Sequence, residues 1–474
     1  MALPRGLAPL RHRAFRLLAG GQLASNVGDA FYAMALPWYV LADHGGPLLL
    51  GAVLASYGVP RTALVAVGGH ASDRWRPWTV MMVADTVRAL AVGALAVLAV
   101  LGPASAALLV PVAAVLGAGE GLFVPASIAI VPSLVPDEDL QAGNALTSGG
   151  TQLAMLVGPA VGGAVVAVVG SASAFGVDAF TFFISALTLF GVRAFQRRPV
   201  PGASGAGDPV ADSAAVGSAG VLDLKAGAAP GHGTVASPLP SPAAQADTPA
   251  SLWRVVRSER VLQVIFVVTI AANLGSGGMG EVALPSLARG PFHVGASGYG
   301  ALIAAMGGGA LVGTLVAAQA RRARHPAVLA SLVFLAEAVL MALVPYLGGA
   351  LPAGAALAGF GALNGLGNVV TITAFQRWAP RALLGRLMGF IMLGSFGIFP
   401  VSVLLGGVVV RSLGAAAFFP LSASILAVAV LGGLTQSSWR HFGEADAAQL
   451  EPAPRVTALA SQAPPARESL PQAP

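Results

Sequence analysis

Residues 51–77, GAVLASYGVPRTALVAVGGHASDRWRP, lie without a gap over residues 300–326, GALIAAMGGGALVGTLVAAQARRARHP. Each stretch is a long apolar run that ends in a cluster of arginines. Two further pairs extend the match. Asn26-Val-Gly-Asp leading to Ala35-Leu-Pro resembles Asn273-Leu-Gly-Ser leading to Ala283-Leu-Pro, with one residue inserted. Glu120-Gly-Leu running to Pro136 overlies Asn364-Gly-Leu running to Pro380. The pairings equate the first, second and fourth apolar runs of one half with those of the other. They predict a duplicated six-helix unit with a seam between its halves.

Composition sets the medium. Hydrophobic residues make up 56% of the 474 and charged residues 10%, against roughly 25% charged in a soluble domain. Near 20 apolar residues cross the hydrocarbon core as a helix, and runs of that length recur over 16–42, 47–71, 78–101, 104–132, 144–170 and 172–194, then 260–287, 296–320, 326–347, 350–376, 384–410 and 413–436. The expected fold is an all-α polytopic membrane protein of twelve transmembrane helices in two parallel-repeat six-helix bundles. A β-barrel does not fit, since the runs are too long and do not alternate with period two. The expected units are residues 1–195 and 251–440 for the two bundles. Residues 196–250, rich in Pro, Ala, Gly and Ser, read as a disordered cytoplasmic linker, and 441–474 as a similar tail.

The net charge of +6 is explained by topology rather than by nucleic acid. Arg5, Arg11, Arg13 and Arg16 precede the first run, and Arg74 and Arg76 follow the second. Arg193, Arg197 and Arg198 follow the sixth, Arg254, Arg257 and Arg260 precede the seventh, and Arg321, Arg322 and Arg324 follow the eighth. Arg377, Arg381 and Arg386 surround the loop after the tenth. The alternate connections carry only Arg289 and Arg411. Positive residues on every second loop place both termini inside the cell. With no cysteine, thiol catalysis and thiolate metal sites are excluded. No phosphate-binding loop occurs, the sole lysine, Lys225, lies in the linker, and the histidines lack metal-ligand spacing, so neither ATP hydrolysis by that route nor a metal centre is expected. No enzyme activity and no cofactor are expected.

Three motifs resemble one family. Gly69-His-Ala-Ser-Asp73-Arg74-Trp-Arg76 stands between runs two and three, Gly158-Pro159-Ala-Val-Gly162-Gly163 lies in run five, and Gln22-Leu-Ala-Ser-Asn26-Val-Gly28-Asp29 opens the first run. Together they resemble the twelve-span transporters of the major facilitator superfamily, and among them bacterial exporters of the macrolide-efflux and siderophore-export type. The resemblance implies a gating loop at Gly69, Asp73, Arg74 and Arg76, and an antiporter motif at Gly158, Pro159, Gly162 and Gly163. It also implies a central cavity lined by spans 1, 4, 7 and 10. The family's span-four arginine is absent here, and the second half carries Arg322 in place of Asp73.

Ionisable groups at mid-depth are costly and are functional candidates. Asp29 and Glu120 lie midway along spans 1 and 4. A carboxylate in a low-dielectric cavity holds a proton more readily than one in water, which makes these two the candidates for proton coupling. Asn26 lies one turn before Asp29. Asn273 is its repeat partner, and Glu120 is expected to face its own partner Asn364 across the axis, with Asn368 one turn beyond. Asp85 and Arg88, one turn apart on span 3, are expected to neutralise each other or to reach the Asp73 loop. Asp178 and Glu281 read as lying near the extracellular ends, and Glu337 has no evident partner. The cavity spans offer Phe31, Tyr32, Trp38, Phe123 and Phe360 and no fixed Lys or Arg.

These features lead to the expectation of a proton-coupled exporter, or antiporter, of neutral or cationic drug-like molecules. The expected location is the bacterial inner membrane, and the expected state a monomer whose partners are substrate, protons and lipid. A siderophore exporter, an uptake symporter and a non-transporting scaffold or sensor are the alternatives.

Overall fold

The computed structural model describes residues 5–42, 45–102, 105–195, 256–319, 325–379 and 384–443. The expected linker and tail fall outside these residues, except for Phe442 and its immediate neighbours. The described part is all-helical. Its long helices are α1 (Arg13–Ala42), α2 (Gly46–Arg74), α3 (Pro77–Leu101), α4 (Ala106–Ile130) and α5 (Asp137–Val192), followed by α6 (Arg260–Arg289), α7 (Gly295–Gln319), α8 (Pro326–Leu343), α9 (Ala350–Trp378), α10 (Leu384–Leu413) and α11 (Ala415–Thr435). Among the described residues, ten helices are long and apolar enough to cross a membrane. The thirty-residue α1 is not one of them, because polar Gln22, Asn26 and Asp29 interrupt its apolar run.

Two departures from regular helix shape the interior. α5 is two helices joined at Gly170, whose φ of 84° suits a residue without a Cβ. The break falls where the sequence predicts one span to end at 170 and the next to begin at 172. α6 runs as α-helix over Arg260–Gly278, opens into a π turn over Met279–Ala283, and resumes over Leu284–Arg289. A π turn accommodates one extra residue without disturbing the helix on either side. The residue left over when the Asn273 stretch is laid on the Asn26 stretch is absorbed there.

Helix contacts are made by small residues, since lipid tails supply no hydrophobic drive between apolar helices. Gly117 and Gly121 let α4 approach the backbone of α2 at Tyr57 and Arg61. Gly309 and Gly313 do the same for α7 against α9. The outward faces are apolar: Leu90, Val168 and Val428 are exposed, as lipid contact requires.

The two sets of helices meet at α2 with α10 and at α5 with α7. Both contacts are closest toward one end of the bundle. A Cβ at Gly51 would stand 2.5 Å from the carbonyl oxygen of Val403, and one at Gly407 would stand 2.7 Å from that of Pro47. On the other contact, a Cβ at Gly163 would stand 2.7 Å from the carbonyl oxygen of Ala296, beside Gly300. At the same end the Arg289 guanidinium lies 6.0 Å from the Trp38 ring and donates to the Ala42 carbonyl at 3.4 Å.

Candidate functional site

Between these two contacts lies a cavity of about 1380 Å³. It extends from Pro37 and Tyr299 near the closed end to Ser72, Pro77 and Leu140, where α2 passes into α3 and α4 into α5. Its walls come from α1 to α5 on one side and from α6, α7 and Phe399 of α10 on the other. Most of the lining is apolar, and the charges stand out against it.

Two ion-pair systems occupy the N-terminal wall. Glu120 of α4 accepts from Arg61 of α2 at 3.1 Å. The same guanidinium lies 5.9 Å from the Tyr57 ring and 5.2 Å from the Phe396 ring, so it also touches the seam. Asp29 of α1, its side chain 47% exposed to the cavity, stands 3.9 Å from Arg88 of α3. Arg88 is ion-paired with Asp85, one turn earlier, and both are buried. Its guanidinium sits between the rings of Phe123 at 4.7 Å and Phe182 at 4.3 Å. A Cβ at Gly119 would lie 2.7 Å from the Arg88 stem, so the glycine makes the room. A buried charge persists only when paired and surrounded in this way.

The expected Asp85–Arg88 pair is present, and it reaches the cavity through Asp29. The expectation of no fixed cation in the cavity is corrected: Arg61 and Arg88 both line it, from α2 and α3. The expected meeting of Glu120 with Asn364 is also corrected. Asn364 turns away from the seam and donates to Glu337 of α8 at 3.1 Å, while Asn368 donates to the Asn364 side chain at 3.0 Å. Glu337 is buried and needs a donor, and Asn364 supplies it; neither asparagine lines the large cavity. Asn26 does line it, and donates to Thr151 of α5 at 3.1 Å. Asn273 donates to the Thr269 carbonyl at 2.9 Å and to Ser395 of α10 at 3.5 Å. It lines a side pocket of about 160 Å³ that shares Arg61 with the cavity.

Asp178 and Glu281, read from the sequence as near helix ends, both line the cavity. Asp178 is 1% exposed and packs where Gly28 of α1 leaves space for it. Of the run-five motif, Gly158 faces Ala30 and Gly162 faces Phe31 of α1, while Gly163 meets Gly300 of α7. One motif thus packs two ways, within the N-terminal set and across the seam. Gly69 and Asp73 lie in the last turns of α2, with the Asp73 side chain outside the described part; Arg74 and Arg76 are exposed.

Helices of membrane-crossing length around a solute-sized, charge-lined cavity define a polytopic membrane protein with a site at its centre. Residues 5–202 match the family model described as transmembrane secretion effector. The chain is 31% identical over 185 residues to the multidrug efflux pump Tap of Mycobacterium tuberculosis, a stretch covering 38% of this chain and 44% of the relative. It is 28% identical over 174 residues to the MFS-type transporter YfiS of Bacillus subtilis, covering 36% and 40%. The matched stretch therefore spans less than half the length of these relatives. The fold is similar to that of a bacterial homologue of the iron transporter ferroportin in an inward-facing state, with a TM-score of 0.62, 14% identity and coverage of 91% and 99%. It is also similar to the nucleoside transporter NupG, with a TM-score of 0.61, 12% identity and coverage of 89% and 98%. The N-terminal part of the chain is similar to drug-efflux members of the major facilitator superfamily.

Proposed function

We propose that the chain is a proton-coupled exporter of drug-like small molecules that works by alternating access. The observation that carries this reading is the pairing of each of two cavity carboxylates with an arginine from another helix: Glu120 with Arg61 and Asp29 with Arg88. Such a pair has two arrangements. While the carboxylate is charged, the arginine is held; once a proton neutralises it, the attraction is lost and the arginine turns to another partner. Arg61 already touches Phe396 of α10, so its release bears directly on the α2–α10 seam. Proton and substrate then act on one two-state element, which is what coupling requires.

On this reading α1 to α11, with α5 counted twice at Gly170, make twelve crossings in two six-helix bundles over 1–195 and 251–440. The arginine-rich ends lie in the cytoplasm, so the cavity faces inward and the glycine contacts close the outer side. Asp73, with Arg74 and Arg76, latches the cytoplasmic ends when the cavity faces outward. The names of the efflux-pump relatives support the export direction over the matched part.

Purified chain in liposomes tests the reading through gradient-driven movement of a fluorescent dye such as Hoechst 33342. Glu120→Gln is expected to abolish gradient-driven movement while the protein still elutes as the parent does. Unchanged movement would reject Glu120 as a coupling group, and a parent protein that moves nothing along a proton gradient would reject the exporter reading.

A further inference from the structure

Two exposed arginines at the arginine-rich end of the N-terminal set stand against aromatic rings. Arg193 opens the short 3₁₀ turn Arg193–Phe195 that follows α5, and Arg13 opens α1. The Arg193 guanidinium lies 5.8 Å from the Trp78 ring of α3 and 5.8 Å from the Phe190 ring. The Arg13 guanidinium lies 5.8 Å from the Phe195 ring, in that same turn. A Cβ at Gly191 would stand 3.2 Å from Leu17, so α1 runs beside the end of α5 and both cations come to one place. Among the described residues, neither forms an ion pair or donates a hydrogen bond from its guanidinium. Their neighbours are occupied: Asp139 pairs with His12 at 3.4 Å, and Arg16 donates to the Leu10 carbonyl at 3.1 Å.

The same place lacks an acceptor. The Trp78 indole N–H, in a residue only 9% exposed, is buried with no hydrogen-bond partner. An indole nitrogen can only donate, and leaving such a donor unmet is costly. Two cations and an unmet donor call for an anion. Beyond them an apolar strip leads along the outside of the bundle. α3 and α5 run side by side there, as Arg88 against Phe182 and Arg193 against Trp78 fix. Phe180, Phe183, Leu187 and Phe190 of α5 and Val83 and Val87 of α3 are all exposed along it. From Phe180 to Phe190 the helix rises about 15 Å, half of a hydrocarbon core of about 30 Å. That is the depth of one leaflet. Tryptophan favours the headgroup layer, and Trp78 stands at the level of the arginines. A soluble phosphate would engage the cations and leave the strip bare, whereas a lipid covers both.

We propose that Arg13, Arg193 and Trp78 bind the phosphate headgroup of an anionic phospholipid whose acyl chains lie along the α3–α5 strip. The phosphate accepts from the two guanidinium groups, and a small turn of the indole brings its N–H to a headgroup oxygen. None of these three residues lines the cavity, so the site stands apart from the exporter reading. A lipid held there joins α1, α3 and the end of α5 on their outer side.

Native mass spectrometry of the full chain in detergent tests this, with phosphatidylglycerol as the anionic lipid and phosphatidylcholine of the same acyl chains as the zwitterionic one. The parent is expected to bind phosphatidylglycerol about tenfold more tightly, as two arginines near an anionic headgroup supply. Arg13→Gln/Arg193→Gln is expected to remove that preference, with phosphatidylcholine held within about twofold. Arg257→Gln/Arg440→Gln, which deletes two exposed arginines of the other helix set, is expected to keep it. The proposal is overturned if the parent binds both lipids alike, if the site variant keeps the preference, or if the two double variants lose it equally. Displacement of the lipid by excess glycerol 3-phosphate would assign the site to a soluble phosphate and overturn it as well.

Discussion

On the alternating-access reading, the close contacts at the closed end of the seam make the conformational balance sensitive to a single methyl group. In Gly51→Ala the new Cβ would lie 2.5 Å from the Val403 carbonyl oxygen, about 0.9 Å short of the 3.4 Å at which ordinary contact begins. In Gly163→Ala the distance to the Ala296 carbonyl oxygen is 2.7 Å, a deficit of about 0.7 Å. In both, the obstructing atom is backbone in a packed helix, so it does not swing aside. Overpacking of this kind costs about 1–3 kcal/mol. The cost falls on the state in which these ends are closed, so the closed-to-open ratio should drop by roughly 5- to 150-fold.

The chain has no cysteine, so Leu101→Cys with Leu351→Cys installs its only thiols. Both positions are exposed, 78% and 88%, and the antiparallel course of the helices puts them at the same end as these contacts, one on α3 and one on α9. Spin labels there report the separation by pulsed electron resonance. Each glycine substitution is expected to add a population at longer distance, and the pair together more than either alone. Gly149→Ala, where a Cβ meets nothing within 4 Å, serves as the control and should leave the distribution unchanged. Distance distributions identical to the parent in both Gly51→Ala and Gly163→Ala would refute the reasoning.

Two further outcomes concern buried charge. Asp85→Leu alone leaves Arg88 with Asp29 as its remaining partner, and a broken buried pair costs about 3–5 kcal/mol; the double variant Asp85→Leu/Arg88→Met should melt at a higher temperature than Asp85→Leu. Glu337 keeps its bond from Asn364 only through Oε1, and Oε2 is buried without a partner. Glu337→Gln retains the acceptor and should melt within a few degrees of the parent, whereas Glu337→Ala leaves both a cavity and an unsatisfied amide and should melt lower, by about 2–5 kcal/mol of stability.

The sequence makes the helices and their breaks legible because both follow from short-range rules. Apolar length marks a crossing, and Gly170 falls where one predicted span gives way to the next. Which way each side chain points is another matter. The helices are apolar on nearly every face, so no polar stripe tells which side faces the seam. Arg61 and Arg88 can therefore be placed on α2 and α3 from the sequence, but not into the cavity. Repeat symmetry with Glu120 predicts Asn364 at the axis; its direction is set instead by Glu337 on a neighbouring helix, a contact that one helix's sequence does not carry. Asp178 reads as close to a helix end by counting residues, yet Gly28 on α1 opens a space that draws it inside. Only Glu281 leaves a trace in the sequence, the extra residue between Asn273 and Pro285.

That extra residue has a genetic meaning. The inner helices α1 and α6 differ over this stretch by the length of one codon, and the π turn confines the difference to five positions, Met279–Ala283. The flanks of α6 keep their register, so the packing around the turn and the place of Glu281 on the cavity wall can be altered independently. An in-frame deletion of the Gly280 codon should wind the turn into ordinary helix and swing Glu281 away from the cavity, while Ala283-Leu-Pro stays where Ala35-Leu-Pro stands in the other half. The lining of the cavity can then change by single insertions and deletions in one turn, with the helices around it unchanged.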